Sequence, residues 1–306
     1  MNISKKIKDF SKNISGKLYS EYELKKLNWF GLGGPAKIYF QPESLKELSL
    51  FLKEFSKIGS IKVIGAGSNI LIRDGGYDGI IIKLGKNFSH ISKINEETIV
   101  SGTSVLDKKL SKFAMENEIS GFEYLSCIPG SVGGAIRMNS GCYDYNISQS
   151  LISLQAISKN GEPKLINSKQ INFKYRGSDI KKDLIFLSAT FKGKKKSKEN
   201  IKEIMDMLIL RKKKSQPSQI KTCGSTFKNP IEQTEKKSWE LIKESGCESL
   251  SFGGASLSPQ HVNFFVNNGK ATANDMENLI ERVKKKVLSS TGIKLELELE
   301  VIGERI

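Results

Sequence analysis

The stretch Ile128-Pro129-Gly130-Ser131-Val132-Gly133-Gly134-Ala135 sets three glycines and a proline within eight residues. Glycine admits backbone conformations closed to other residues and lets the main chain come close to a neighbour or a ligand. Two similar runs lie upstream: Gly31-Leu32-Gly33-Gly34-Pro35-Ala36, and Gly65-Ala66-Gly67-Ser68-Asn69 directly after the predicted strand Ile61–Ile64. A glycine turn after a strand can aim successive N–H groups at a pyrophosphate, and Ser68 and Asn69 would add side-chain donors. Any one of the three runs is equally well an ordinary tight turn. Neither common nucleotide fingerprint is present. Ile70 stands where the third glycine of GxGxxG would sit, and GxxxxGK[ST] occurs nowhere. A dinucleotide bound here is therefore bound on a different scaffold.

Outward from these turns the chain alternates between two periodicities. Leu45, Leu48, Phe51, Leu52 and Phe55 follow a capping box at Ser44 and Glu47 and predict a helix. Ile201, Ile204, Met205, Leu208 and Ile209 predict a second. Met276, Leu279, Ile280, Val283 and Val287 predict a third, capped at Asn274. A fourth runs over about 105–117. Strands are predicted at Ile61–Ile64, Ile80–Leu84, Thr98–Ser101, Leu151–Ile157, Leu184–Phe191 and Val262–Val266. The absence of a strict βαβ rhythm points to an α+β fold rather than one doubly wound sheet. The lysine-rich Gly193–Lys198 reads as a linker.

At 306 residues the chain exceeds one ordinary core, and two or three domains are expected. No apolar run is long enough to span a membrane, and Met1–Phe10 lacks the apolar centre of a secretory signal, so a cytosolic location is expected. Cys127, Cys142, Cys223 and Cys247 form no CxxC pair, and His90 and His261 sit near no pair of cysteines, which argues against a metal site and a disulfide framework. The net charge of +16 allows nucleic-acid binding. Its lysines are scattered, however, with short runs at Lys194–Lys196, Lys212–Lys214 and Lys284–Lys286 and no aromatic cluster beside them. A solvated surface is the first reading, nucleotide steering the second, and nucleic acid the last.

Taken together and in order, the glycine runs become specific. WFGLGGPA from Trp29, VIGAGSNILIRDGGYDG from Val63, GFEYLSCIPGSVGGAIRMNSGCYD from Gly121, FKYRGSD from Phe173, CGSTFKNP from Cys223, GGASLSPQHVNFFVN from Gly253 and the C-terminal LELELEVIGE resemble the UDP-N-acetylenolpyruvoylglucosamine reductase family, shorter form. The resemblance runs from Leu27 to Glu304. It implies a flavin-binding fold of the vanillyl-alcohol-oxidase type followed by an α+β substrate domain. The implied boundaries are 1–84, completed by a C-terminal strand at 293–306, then 85–193, then 197–292. It also implies non-covalent FAD, with NADPH as co-substrate. The implied reaction reduces UDP-N-acetyl-3-O-(1-carboxyvinyl)-glucosamine to UDP-N-acetylmuramate for peptidoglycan. Oligomeric state is left open, a monomer included.

The resemblance carries residue roles. Arg176 matches the catalytic arginine, whose planar guanidinium can hold a carboxylate by two parallel hydrogen bonds. Ser225 matches the proton donor, with Thr226 its nearest competitor. Glu298 matches the third catalytic residue, although LELELE also places Glu296 and Glu300 on one face of a strand, and a slip of two would exchange them. Gly33, Gly34, Gly65, Ala66, Gly67, Ser68, Asn69, Pro129, Gly130, Ser131, Gly133, Gly134, Asn139 and Gly141 are expected at the cofactor. Tyr175, Lys228, Asn229, His261 and Asn263 are expected at the substrate. Asn28 stands where threonine is common in the family. The rival readings are another flavin oxidoreductase of the same fold, whose covalent attachment would have only His90 and His261 to use, and a basic nucleic-acid-binding protein.

Overall fold

The predicted apolar stripes fold as helices. In the computed structural model, which describes residues 3–217 and 220–306, they span Leu45–Phe55, Asp107–Glu116, Lys198–Ser215 and Ala273–Thr291. Met1 and Asn2 of the opening stretch lie outside the described residues. Leu48, Phe51, Leu52 and Phe55 are buried on one face of the first helix, as spacing by three and four requires. The Ser44 hydroxyl accepts the Glu47 N–H at 3.2 Å. The reciprocal half of the predicted capping box is not made. The Glu47 carboxylate instead accepts the N–H groups of Ser15 and Glu43, at 2.8 and 2.9 Å.

The cap of the last long helix is also displaced from Asn274. Thr272 is the N-cap, with Asp275 as its capping-box partner. A distant carboxylate adds to this cap: Asp74 accepts the N–H groups of Ala273 and Asn274, both at 2.9 Å. Those first-turn donors are thereby satisfied.

The chain forms two compact units, each built from separate segments. The first comprises Met1–Glu21, Ile38–Ala66 and Gly79–Lys212; the second comprises Tyr22–Lys37, Gly67–Asp78 and Lys213–Ile306. These divisions differ from 1–84, 85–193 and 197–292. Nor is Gly193–Lys198 a linker. Lys194–Lys195 pairs antiparallel with Ile119–Ser120, and the Gly193 N–H donates to Glu97 O at 2.8 Å. A lysine-rich segment can take an edge position because its exposed side chains leave the backbone free to pair.

The first unit holds an antiparallel sheet in the order Pro163–Asn167, Leu151–Ile157, Ile185–Lys192, Thr98–Gly102, Ile91–Lys93. The pairing of long strands far apart in sequence makes this an α+β arrangement. One core, around Leu110, Phe122, Leu125, Ile136, Leu154 and Phe191, lies under this sheet. A second gathers Ile38, Phe40, Phe51, Phe55, Ile80 and Ile82, with the Phe40 and Phe51 rings stacked at 4.1 Å. In the second unit, Phe30, Leu71, Phe227, Ile242, Phe265, Met276, Ile280 and Val283 share one core. There Ile70–Ile72 pairs in parallel with Glu300–Ile302. No helix among the described residues is long and apolar enough to cross a membrane.

Candidate active site

The turn at 128–134 is laced to the segment before the helix Asp107–Glu116. Asp107 N–H donates to Gly130 O at 3.1 Å, Val132 N–H to Val105 O at 2.9 Å, and Gly133 N–H to Thr103 O at 2.9 Å. This closeness accounts for two glycines. A Cβ on Gly130 would lie 2.4 Å from Asp107 Oδ2, and one on Gly133 would lie 3.1 Å from Thr103 Cβ. A Cβ on Gly65 would lie 2.2 Å from Ser131 Oγ, so this turn and the Gly65-Ala66 turn touch. The N–H groups of Gly65, Ala66, Gly130, Ser131 and Gly134 find no acceptor among the described residues. Backbone donors left open in this way are normally met by water or a ligand. Open N–H groups on two touching turns, with the Ser131 hydroxyl between them, suit a diphosphate, and the residues present therefore fit the diphosphate of FAD.

Lys83, which the sequence did not single out, donates from Nζ to Gly65 O at 2.7 Å. Burial lowers the pKa of its ammonium. Because N–H and C=O point opposite ways across a trans peptide, this bond turns the Ala66 N–H away from Lys83.

Arg176 sits at a hairpin between Phe173–Lys174 and Gly177–Ser178, at a φ of 54°. The hairpin is held from below. Asn139, itself left-handed at the end of the helix Val132–Met138, donates from Nδ2 to Lys174 O at 3.1 Å. Ser178 Oγ donates to Arg137 O at 3.3 Å, and Arg137 donates to the carbonyls of Ile180, Lys181 and Leu184. Tyr175 is exposed beside Arg176, with the guanidinium 5.2 Å from its ring.

Burial pushes the Cys142 thiol up to about 12. The nearby Cys127 acts in the same direction, and the cations of Lys212, Arg176 and Arg211 act against both. Arg211 lies over the Tyr143 ring at 4.4 Å. Lys212 is half-buried, with its Nζ donating to Cys127 O and its pKa lowered by burial. It is not the solvated lysine predicted from the run Lys212–Lys214. The sequence signal was its position one heptad after Met205 on the buried stripe.

Ser225, Lys228, Asn263 and Glu298 all lie in the second unit. Gly224, at a φ of 79°, turns the chain immediately before Ser225. Residues 225–228 then run between two neighbours. On one side Thr226 N–H donates to Asn263 O at 2.8 Å. On the other, Glu298 N–H donates to Thr226 O at 2.8 Å and Lys228 N–H donates to Glu296 O at 2.9 Å, with Phe227 opposite Leu297. Glu298 is half-buried, and Asn69 Nδ2 donates to its carbonyl at 3.0 Å. Glu296 and Glu300 are exposed; the former lies 3.7 Å from Lys228 Nζ. The three glutamates of LELELE thus occupy different surroundings.

Several nominated residues have tasks other than those expected. Asn263 is buried, and its side chain both accepts the Phe227 N–H at 3.0 Å and donates to Phe227 O at 2.9 Å. Its amide is spent on the backbone rather than presented to a ligand. Asn229 Oδ1 accepts the Ser238 N–H at 3.1 Å, which starts the helix Ser238–Glu244. His261 rests against Phe264 at 4.6 Å, and burial lowers its pKa. A Cβ on Gly33 or Gly34 would strike Ile72 or Asp74, one on Gly67 would strike Leu27 O, and one on Gly141 would strike Tyr145 O. Those four glycines make room for the chain itself. Asn28 donates to the carbonyls of Leu24 and Leu32 and so closes the first glycine turn.

The family model described as "FAD binding domain" matches residues 36–166, and the one described as "UDP-N-acetylenolpyruvoylglucosamine reductase, C-terminal domain" matches 216–302. A UDP-N-acetylenolpyruvoylglucosamine reductase of Pelagibacter ubique is 52% identical over 97% of this chain and 98% of its own length. That of Rickettsia typhi is 43% identical over 96% and 98%. The crystal structure of the reductase from Thermus caldophilus superposes with a TM-score of 0.81 at 30% identity, covering 95% of this chain and all of that one. The α+β flavin-binding fold expected from the sequence is the fold observed, and the chain belongs to the UDP-N-acetylenolpyruvoylglucosamine reductase family.

Proposed function

We propose that Ser225 is the proton donor and that Arg176 and Glu298 stabilise the enolic intermediate in the NADPH-dependent reduction of UDP-N-acetyl-3-O-(1-carboxyvinyl)-glucosamine to UDP-N-acetylmuramate. The turns Gly65-Ala66 and Gly130–Gly134 would hold FAD, which would supply the two-electron transfer between NADPH and the enolpyruvyl double bond. Reduction at carbon 3 leaves negative charge that spreads from carbon 2 onto the carboxylate. The site then needs a fixed cation and a proton donor at carbon 2. Arg176 supplies a planar, permanently charged fork for the carboxylate. Ser225 protonates carbon 2. Of the two adjacent hydroxyls, Ser225 is half-exposed and Thr226 is fully buried, which favours Ser225.

The observation that carries this reading is the alignment of residues 225–228 with 296–298, where Thr226 O accepts the Glu298 N–H. Hydroxyl and carboxylate are thereby borne on adjacent segments, while Glu296 and Glu300 face solvent. We read the enzyme as cytosolic and its ligands as small molecules rather than nucleic acid. The test is anaerobic. NADPH should bleach the flavin, and the enolpyruvyl UDP-sugar should restore its colour; a flavin that stays bleached on adding this substrate overturns the reading. Denaturation should release the yellow colour from the polypeptide.

A further inference from the structure

Asn263 makes an unusual set of bonds for a buried side chain. Its carbonyl accepts the Thr226 N–H at 2.8 Å, its Oδ1 accepts the Phe227 N–H at 3.0 Å, and its Nδ2 donates to Phe227 O at 2.9 Å. One residue thus supplies three hydrogen bonds to the two residues that follow Ser225. The side-chain amide stands in for a peptide group, presenting a donor and an acceptor at the spacing of a strand neighbour. Residues 225–228 are not part of a regular strand; they bridge their neighbours at Ser225–Phe264 and Phe227–Leu297, with backbone bonds joining Thr226 to Asn263 and Glu298 and Lys228 to Glu296. The Asn263 side chain extends this pairing to the N–H and C=O of Phe227.

The bonds extend through this segment to the carboxylate. Thr226 O accepts the Glu298 N–H at 2.8 Å, and Glu298 O accepts Asn69 Nδ2 at 3.0 Å. The order is therefore Asn263, then 226–227, then Glu298, then Asn69. Asn263 is 3% exposed and Thr226 is wholly buried, so water cannot readily replace the bonds. With both ends of its amide engaged, Asn263 has no donor or acceptor to offer a sugar or a phosphate beyond its remaining lone pair and proton.

We propose that Asn263 is a positioning residue for the proton transfer: it fixes the backbone that carries Ser225 and, through Thr226, the segment that carries Glu298. This rests on the reading of Ser225 as proton donor. A displacement of about 1 Å at a reacting group costs up to about 100-fold in rate, which sets the scale of the expected effect.

The discriminating variant is Asn263→Asp, studied as the flavin-loaded enzyme. Its carboxylate still accepts the Phe227 N–H, but it donates to Phe227 O only when protonated. Flavin reduction by NADPH and flavin reoxidation by the enolpyruvyl UDP-sugar are followed separately by anaerobic stopped-flow absorbance across pH. Ionisable groups on the surrounding segments are His261, Lys228, Glu296 and Glu298; the wild-type profile, which contains their titration, is divided out. The proposal expects reduction at the wild-type rate, reoxidation slowed about 10- to 100-fold at alkaline pH, and recovery of reoxidation toward acid pH as the donor is restored. Should Asn263→Asp fail to accumulate, Asn263→Ser carries the same comparison of half-reactions without the pH arm. Ser225→Ala is run in parallel. Slow reoxidation in Ser225→Ala with wild-type reoxidation in Asn263→Asp overturns the positioning role and leaves Ser225 standing. Wild-type reoxidation in Ser225→Ala removes the proton-donor reading and this inference with it. Equal slowing of both half-reactions in Asn263→Asp also overturns the proposal, because that is the result of a general loss of structure.

Discussion

The turn at 128–134 and the segment at 225–228, the two regions proposed to meet the ligands, are held by different means. The turn is held by its own backbone bonds to residues 103–107, and a Cβ on its Gly130 would collide with Asp107, as one on the touching Gly65 would with Ser131. The segment at 225–228 is held by backbone bonds to residues 263, 296 and 298 and, at Phe227, by the side chain of Asn263. The first arrangement fails when an atom is added. The second fails when an atom is removed or misplaced. A cradle for diphosphate needs only N–H directions, which backbone supplies. A proton donor must sit at one point relative to carbon, and a buried amide fixes the segment that carries it against slippage.

The sharpest test acts on the second region. Ser225→Ala should slow flavin reoxidation by about 10²- to 10⁴-fold, the usual contribution of a positioned acid, and leave reduction by NADPH intact. Comparable slowing of both steps in stopped-flow traces would remove the assigned role. On the first region, Gly130→Ala adds one methyl against Asp107 Oδ2. Overpacking of this kind costs about 1–3 kcal/mol, so FAD should bind roughly 5- to 100-fold more weakly by fluorescence titration. An unchanged dissociation constant would mean that the cradle yields, and the contrast between the regions would blur.

Arg73→Gln probes what holds the strand beside Asn69 and Glu298. Arg73 makes two bonds to the Glu277 carboxylate, at 2.9 and 3.0 Å, and a third to Gly303 O at 3.0 Å. Burial works against ionisation of Glu277, yet the hydrogen bonds from Arg73 and Arg305 hold its carboxyl below the usual range. Removing the guanidinium should destabilise the protein by about 1.5–3 kcal/mol, read from denaturant midpoints. A midpoint within error of wild type would show that the parallel pairing of Ile70–Ile72 with Glu300–Ile302 suffices alone.

The smallest effect concerns Asp107. Burial pushes its carboxyl well above the ordinary range, so the folded chain keeps a proton that the unfolded chain loses. Above the unfolded carboxylate pKa the native state binds more protons, and stability therefore falls as pH rises toward the raised native value. Asp107→Asn should flatten this slope and raise Tm at mildly alkaline pH by a few degrees, given about 2–4 °C per kcal/mol in large domains. A steeper slope in the variant would mean that Asp107 is ionised in the native protein.

Much of the architecture was legible from the sequence because its causes are local. The stripe Leu48, Phe51, Leu52, Phe55 needs only helical spacing to define a buried face, and glycine runs mark turns whatever surrounds them. The motifs, taken in order, specified the family and with it FAD, NADPH and the UDP-sugar. The features that the sequence left open depend on partners distant along the chain. Asp74 accepts an N–H at a helix start 199 residues away. Asn69 meets Glu298 across 229 residues, and burial within the folded chain, not sequence, separates half-buried Glu298 from the exposed glutamates on either side of it. Period-two alternation treats all three alike. Likewise, the sequence marked Gly33, Gly34, Gly65 and Gly130 as the same kind of residue. Only the fold decided what each makes room for, Ile72 and Asp74 at the first pair and Ser131 and Asp107 at the second, because a glycine is defined by what stands where its side chain would be.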